Sequence, residues 1–449
     1  MIGTIVNMWK IKELRQRLLF TLGLLAVYRI GSFVPTPGID PAQLHRFAGG
    51  AGGGLMNMMD LFTGGNLSNM TIFALGVMPY ISASIIIQLM TSVIPTLERL
   101  SREGEGGRRK INQYTRYGTI VVCAIQSVML GKSLYQAQVN LIRNPFVFIL
   151  VMTIALTAGT TFVMWLGEQI TSRGIGNGIS LIITAGIVSR LPTAARMMWA
   201  LYGPNLLGRG FGGAAAETRP MWQAVVLLVM FVLVVAGVIF VIQGQRRIPV
   251  QYAKRVASGG RVVGGAATYL PLRVNQAGVI PIIFASSIMI IPDALAKYMP
   301  DSWGVVKQAV EWCSHAGDGY VWLYAVAIIL FCYFYTAITF NPVQIAEDFK
   351  KNGAFVPGIR PGKPTADYLE HTMVRITTAG AIFLAVIAIV PMIVSHRLNI
   401  PYIVASFLGG TGLLIVVGVM LDTMQQVEAH LLMHHYDGFM KEGKLRGRY

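Results

Sequence analysis

The chain has 449 residues, of which 13% are charged and 54% hydrophobic, with a mean hydropathy of +0.58 and a formal net charge of +17. An average soluble domain carries about 25% charged residues, so this balance excludes a soluble globular protein, a disordered or fibrous chain and a disulfide-rich secreted domain. Residues 61–97, 144–167, 220–245, 319–346 and 398–421 contain no Asp, Glu, Lys or Arg, and 274–292 and 376–395 are slightly shorter runs of the same kind. Most exceed the ~20 apolar residues that a ~30 Å hydrocarbon core requires, which predicts a polytopic membrane protein.

In chain order, the N-terminal MIGTIVNMWKIKELRQR shows no small-residue cleavage site before the first apolar run, so no cleaved signal peptide is expected. Ten spans are predicted, centred on 18–35, 71–94, 117–137, 146–166, 178–192, 222–242, 274–292, 321–340, 376–395 and 402–421. Arg29, Lys132 and Arg190 intrude on the first, third and fifth. Each sits near an end, where a long side chain reaches the interface. Ahead of the second span, LMNMMDLFTGGNLSNM (55–70) is too short to cross and breaks at Gly64-Gly65. It reads either as an interfacial amphipathic turn or as a re-entrant segment folded into a cavity. The second span carries Gly76 and Pro79 and the seventh carries Pro281, with small residues Ser82, Ala83, Ser84, Ala285, Ser286 and Ser287 beside them. Proline inside a helix costs about 3 kcal/mol but is tolerated where neighbouring helices or a cavity satisfy the freed carbonyls. The two positions, each in the second span of its half, support a repeat, and the plainer reading is a pair of kinked helices with small packing faces.

The basic residues decide orientation. Segments 1–17, 95–116, 167–177, 243–273, 341–375 and the tail from Asp422 hold 26 of the 37 Lys and Arg, and the opposite set holds 11. The positive-inside rule makes the first set cytoplasmic. Both termini are then inside, and an even number of spans follows. Ten spans divide into halves of five, which must enter from opposite sides, the inverted-repeat architecture of many transporters. The predicted fold class is an all-α polytopic membrane protein with ten transmembrane helices in two inverted pseudo-symmetric halves. The predicted organisation is an N-terminal half 1–205 containing segment 55–70, a C-terminal half 206–424 with basic loops 243–273 and 341–375, and a tail 425–449. Residues 193–220 read as the hinge between halves.

The chemistry of coupled transport or catalysis is missing. An ion-coupled secondary transporter, the rival reading, usually builds on an ionisable residue deep in the membrane. Here Glu168 and Asp422 lie at cytoplasmic ends of spans, and Asp60 precedes the second. Residues 174–178, Gly-Ile-Gly-Asn-Gly, read as a tight turn, and the His434–His435 pair as solvent-exposed. Cys123, Cys313 and Cys332 show no ligand or redox spacing and read as small buried hydrophobes. No enzyme, cofactor or metal is predicted.

Seven ordered segments carry a resemblance. FTGGNLSNMTIFALGVMPYISASIIIQLM (62–90), EGEGGRRKINQYTRYGT (103–119), GIGNGISLIITAGIV (174–188), GQRRIPVQYAKR (244–255), VNQAGVIPIIFASS (274–287), FNPVQIAEDFKKNGAFVPGIRPG (340–362) and LLIVVGVMLDTMQQVE (413–428) resemble the SecY family of bacterial protein-conducting channels. The resemblance implies an hourglass pore between the halves with an aliphatic ring of Val77, Ile81, Ile179, Ile183, Ile280, Ile283 and Ile415. Val77 is often Ile in the family. It implies a plug at 55–70, with Leu55, Met56, Met58, Met59, Leu61 and Phe62 as its apolar surface. It places a lateral gate between spans two and three and spans seven and eight, where Gln88 and Asn275 are candidate hydrogen-bonding residues. It makes Arg246, Arg247, Lys254, Arg255 and Arg360 a docking surface for the ribosome and the SecA ATPase. SecE, SecG, signal sequences of preproteins, YidC and SecDF are the other implied partners, with membrane lipid at the gate. The implied setting is the bacterial plasma (inner) membrane.

Overall fold

The computed structural model describes residues 11–40, 44, 60, 63–207, 220–252, 255–256, 262–263, 267–276, 278–289, 304–313, 319–398, 404 and 410–442. The chain forms two compact units, one of residues 1–218 with 419–449 and the other of residues 219–418.

In the first unit, α1 (Lys12–Gly31) leads into a block of turns, followed by α2 (Met78–Val93), α3 (Pro95–Arg102), α4 (Glu105–Gln136), α5 (Pro145–Arg173), α6 (Gly178–Ser189) and α7 (Leu191–Leu207). The break between α2 and α3 falls at Ile94-Pro95, where Ile94 is extended (φ −94°, ψ 115°) as a residue before proline prefers. Helices α4 and α5 pack side by side, and α2 lies along α4. Phe148, Met152 and Leu156 of α5 meet Cys123 and Leu134 of α4 in a core that also takes in Leu67, Met70 and Leu75.

In the second unit, α8 (Met221–Gln243) runs into β1 (Gln245–Tyr252), β2 (Arg255–Val256), β3 (Val262–Val263) and β4 (Ala267–Arg273). Then come α9 (Ile280–Ile288), α10 (Gly304–Cys313), α11 (Gly319–Thr339), α12 (Pro342–Lys351), β5 (Ala354–Phe355) and α13 (Lys363–Leu398). The last helix, α14 (Thr411–Glu442), starts in this unit and continues into the first, so residues expected as a separate tail extend the final span as helix.

Among the described residues seven helices are long and apolar enough to cross a bilayer, or eight if the bent pair α2–α3 counts as one span. Of the two remaining expected spans, α1 keeps Arg15, Arg17 and Arg29 within its length, and the described part of the seventh ends at Met289. Large apolar side chains such as Val225, Leu228, Val232, Leu233 and Phe240 of α8 are exposed, as a lipid-facing surface requires. The fifth span is longer than the sequence suggests: an apolar helical stretch runs over Gly178–Tyr202, so part of the expected hinge 193–220 is helix. Cys123 and Cys332 are buried and Cys313 only partly so, all three as free thiols.

The loop expected at 243–273 is structured. Strand β1 pairs antiparallel with β4 and with β5, giving the order β4-β1-β5. Ile248 and Val250 are buried on one face, Arg247, Pro249 and Gln251 are exposed on the other, and Arg246 is exposed near the start of the strand. From residue 247 to 251 the pattern has the period of two expected of a strand that covers one core.

Candidate functional site

Four of the expected ring positions belong to the first unit and three to the second. In the first, the second span is helical only from Met78, not from residue 71. Residues 63–77 form turns because Gly64, Gly65 and Gly76 adopt positive φ (70°, 96° and 53°), as does Met70 (41°). Val77 is therefore the N-cap of α2, and its carbonyl accepts from the Ile81 N–H at 3.1 Å. Both side chains are buried. The second unit repeats the arrangement. Gly278 has φ 62°, Val279 is the N-cap of α9, Ile280 is its first residue, and the Ile283 N–H reaches the Val279 carbonyl at 3.4 Å.

Pro79 and Pro281 are consequently the second residues of their helices, and the expected interior kinks do not form. A proline in the first turn removes an N–H that has no partner within the helix anyway.

Ile179 and Ile183 lie one turn apart on α6. The preceding glycine-rich segment is the tight turn expected from its sequence. Gly176 sits at φ 87°, and the Asn177 side chain caps α6 by accepting from the N–H groups of Ile179 and Ser180 at 3.1 and 3.3 Å. A Cβ at Gly178 would lie 1.9 Å from the Gly167 carbonyl, so α6 enters directly against α5. The Gly176 N–H also donates to Gln426 Oε1 of α14 at 3.0 Å, and Leu14, Ile175 and Val427 pack together nearby. Ile183 is buried, Ile179 partly so, and Ile415 on α14 is fully buried.

The plug candidates Leu55, Met56, Met58, Met59, Leu61 and Phe62 lie outside the described residues. The adjoining chain is held from several sides. Asp60, fully buried, forms an ion pair with Arg190 at the end of α6. The other oxygen of its carboxylate accepts from Thr63 Oγ1, the Leu67 N–H and the Ser68 N–H at 3.1, 3.0 and 3.1 Å. Tyr28 Oη donates to the Thr63 carbonyl and accepts from Asn66 Nδ2. The Thr36 N–H bonds the Met70 carbonyl, and the Ile72 N–H bonds that of Val34. Sequence reasoning treated Asp60 and Arg190 separately, as a residue before one span and a charge at the end of another. The available signal was that two opposite charges stand alone beside long apolar segments.

Both gate candidates bond locally. Gln88 Nε2 donates to Ser84 Oγ on its own helix at 3.2 Å, and Asn275 Nδ2 donates to the Gly278 carbonyl at 2.7 Å. The Asn275 bond thus braces the turn that opens α9.

Three of the docking candidates share one small structure. Ile248, Leu272, Phe340, Val356, Leu369 and Met373 form a core beneath the sheet, with Ile359 packed against it. Gly358 (φ 82°) and Gly362 (φ 105°) make the turn that follows β5, and Thr365 Oγ1 closes it on the Arg360 carbonyl at 2.8 Å. With Ile359 inward, Arg360 is exposed on the same substructure as Arg246 and Arg247. Arg255 lies on β2, and Lys254 is outside the described residues.

The SecY family model matches residues 71–424. Protein translocase subunit SecY of Escherichia coli K12 is 46% identical, covering 97% of this chain and 96% of its own. The subunit of the same name from Thermus thermophilus is 44% identical over 98% of each. A solved protein-conducting channel aligns with a TM-score of 0.65 at 17% identity, over 92% of this chain and 91% of its own. Sec61 in the canine ribosome–channel complex of the endoplasmic reticulum aligns at 0.61 and 16%, with the same coverages. At those identities the two structures share the fold.

Proposed function

This chain belongs to the SecY family, and from that premise we propose that it is a protein-conducting channel. It moves unfolded secretory polypeptides across the bacterial plasma membrane and releases transmembrane helices sideways into lipid. The observation that carries the reading is 46% identity with the Escherichia coli translocase subunit over nearly the whole chain.

In this reading Val77, Ile81, Ile179, Ile183, Ile280, Ile283 and Ile415 form the constriction. Aliphatic side chains touch a threading chain without holding any one residue, and when closed they exclude ions by dewetting. Gln88 and Asn275 serve the seam through which apolar helices leave. Segment 55–70 is the plug. The halves are 1–205 and 206–424, both termini are cytoplasmic, and the protein performs no covalent chemistry.

An ion-coupled transporter is the weaker reading. Among the described residues Asp60 is the only buried carboxylate, and it is committed to Arg190 and three further donors. A coupling site needs a carboxylate that exchanges its ion.

The partners we propose are SecE, SecG, SecA, the ribosome, signal sequences, YidC and SecDF. The motor and the ribosome dock on Arg246, Arg247, Lys254, Arg255 and Arg360. Arg360 is set on a glycine-flanked turn and exposed, so Arg360→Glu should leave folding intact, a surface change of under ~0.5 kcal/mol. It should nevertheless block ATP-driven preprotein uptake into proteoliposomes, because reversal turns attraction at a docked interface into repulsion. Normal uptake would remove the docking assignment.

The function itself is tested by stalling a secretory chain and placing a photo-cross-linker at Ile81 or Ile283. Adducts to the chain at both positions are expected. Their absence in a translocating preparation would exclude the proposed path.

A further inference from the structure

The Asp60–Arg190 pair stands out among the groups that the proposed conduction path does not use. Asp60 is fully buried, the Arg190 side chain is 13% exposed, and the two come from segments 130 residues apart. Arg190 donates a second bond to Ser68 Oγ at 3.1 Å, so one guanidinium gathers both ends of the 60–68 turn. Alongside it Ser189 Oγ donates to the Gly64 carbonyl at 3.3 Å. A Cβ on Gly64 would lie 2.6 Å from Gly186 Cα, so backbone meets backbone with no side chain between. Asp60, Gly64 and Ser68 are thus fixed to the end of α6 by charge, hydrogen bonds and close packing.

We propose that Asp60–Arg190 is an anchor that fixes the stem of the plug to α6. Residues 63–76 then stay in place and set where the plug seats. This inference rests on reading 55–70 as a plug, and it assigns Arg190 as a positioning residue for the closed state. Removing one member of a buried ion pair leaves the other as an uncompensated buried charge, so single neutralisations should be harsher than removal of both.

The test measures resting ion conductance of the purified channel complex in planar bilayers, with ATP-driven preprotein uptake in parallel. Asp60→Asn keeps an acceptor for the Leu67 and Ser68 N–H groups while removing the charge. Arg190→Gln removes the partner. Each should raise resting conductance about tenfold while uptake stays within about twofold of the parent. The double variant should leak no more than the worse single one, since the two act as a unit. Parental conductance from both single variants, or multiplied effects in the double, would overturn the anchor.

Loss of uptake equal to the gain in leak would overturn it too, by showing general destabilisation. Arg190→Lys keeps the charge and gives up the geometry toward Ser68. It should assemble normally and leak less than about threefold above the parent, and a leak matching Arg190→Gln would overturn the ionic assignment. Deleting residues 51–59 separates the two readings. A leaking deletion beside tight point variants ends the anchor and keeps the plug, whereas a tight deletion ends the plug reading itself.

Discussion

Residues 76–84 and 278–286 open two helices in different units with closely similar sequences, GlyValMetProTyrIleSerAlaSer and GlyValIleProIleIlePheAlaSer. The backbone responds alike: a glycine at φ 53° or 62°, a valine N-cap near φ −90°, then a helix with proline second. Their surroundings differ. In α9 every residue from Pro281 to Ser287 is buried, whereas α2 alternates, with Tyr80, Ser82 and Ser84 only partly covered. Phe284 packs edge-on against Phe331 and Tyr335 of α11, with ring centroids 5.9 and 6.4 Å away. Ser286 Oγ meets Tyr324 Oη at 3.0 Å. Position 82, the counterpart of Phe284, is a serine. Local sequence therefore sets the backbone of each opening, and what stands beside it decides which face is sealed.

The largest expected effect breaks what the two openings share. Ile81 and Ile283 occupy the same place in the repeat, and both are 4% exposed. If both form the constriction, Ile81→Gly and Ile283→Gly should raise resting conductance in planar bilayers by similar factors. Adding Ile183→Gly should make the channel leak freely, because a collar without aliphatic bulk wets. Background conductance in the triple variant would make these residues packing rather than seal.

The next effect exploits the difference. Phe284→Ala should destabilise by about 2 kcal/mol, from the cavity and two lost aromatic contacts. That is below the usual cost in a soluble core, because an apolar bilayer supplies no transfer term of its own. Ser82→Ala should be nearly silent. Heat denaturation midpoints of the detergent-solubilised protein compare the two. Equal shifts would mean that the openings are packed alike.

Smaller again are Gly76→Ala and Gly278→Ala. A side chain at positive φ costs about 1–2 kcal/mol, so both should lower the midpoint. Gly76→Ala should lower it further, since its Cβ would sit 3.2 Å from Thr63 Cγ2, against the clamped stem.

The span pattern was legible in the sequence because charge-free runs are a composition signal that needs no tertiary context. The glycines of 174–178 announced a turn for the same reason: the preference is local. The small sheet was not legible. Arg246, Arg247 and Pro249 interrupt β1, and only pairing with β4 across a long loop makes a strand of it. Nor was the union of Asp60 with Arg190, since two charges far apart in sequence carry no sign of contact. The expected kinks at Pro79 and Pro281 failed because an apolar run hides where a helix starts. Residues 71–77 are as hydrophobic as those after them, and only the sign of φ at Gly76 separates turn from helix.

That last point yields the smallest prediction. Under the kink reading, Pro79→Ala and Pro281→Ala would restore an interior hydrogen bond and straighten a helix, recovering up to about 3 kcal/mol. In the structure both prolines stand second in their helices, where the freed N–H has no carbonyl one turn back within the helix. Alanine then gains no bond, and its only effects are slightly better intrinsic helix propensity and a less restricted unfolded chain, which oppose each other. Both variants should shift the denaturation midpoint by no more than an amount equivalent to about 0.5–1 kcal/mol. The two shifts should also agree in sign, because the local backbone is the same. A large stabilisation at either site would place that proline inside its helix. Opposite signs would show that the matched dihedrals conceal different strain, and the correspondence between the openings would then stop at their sequences.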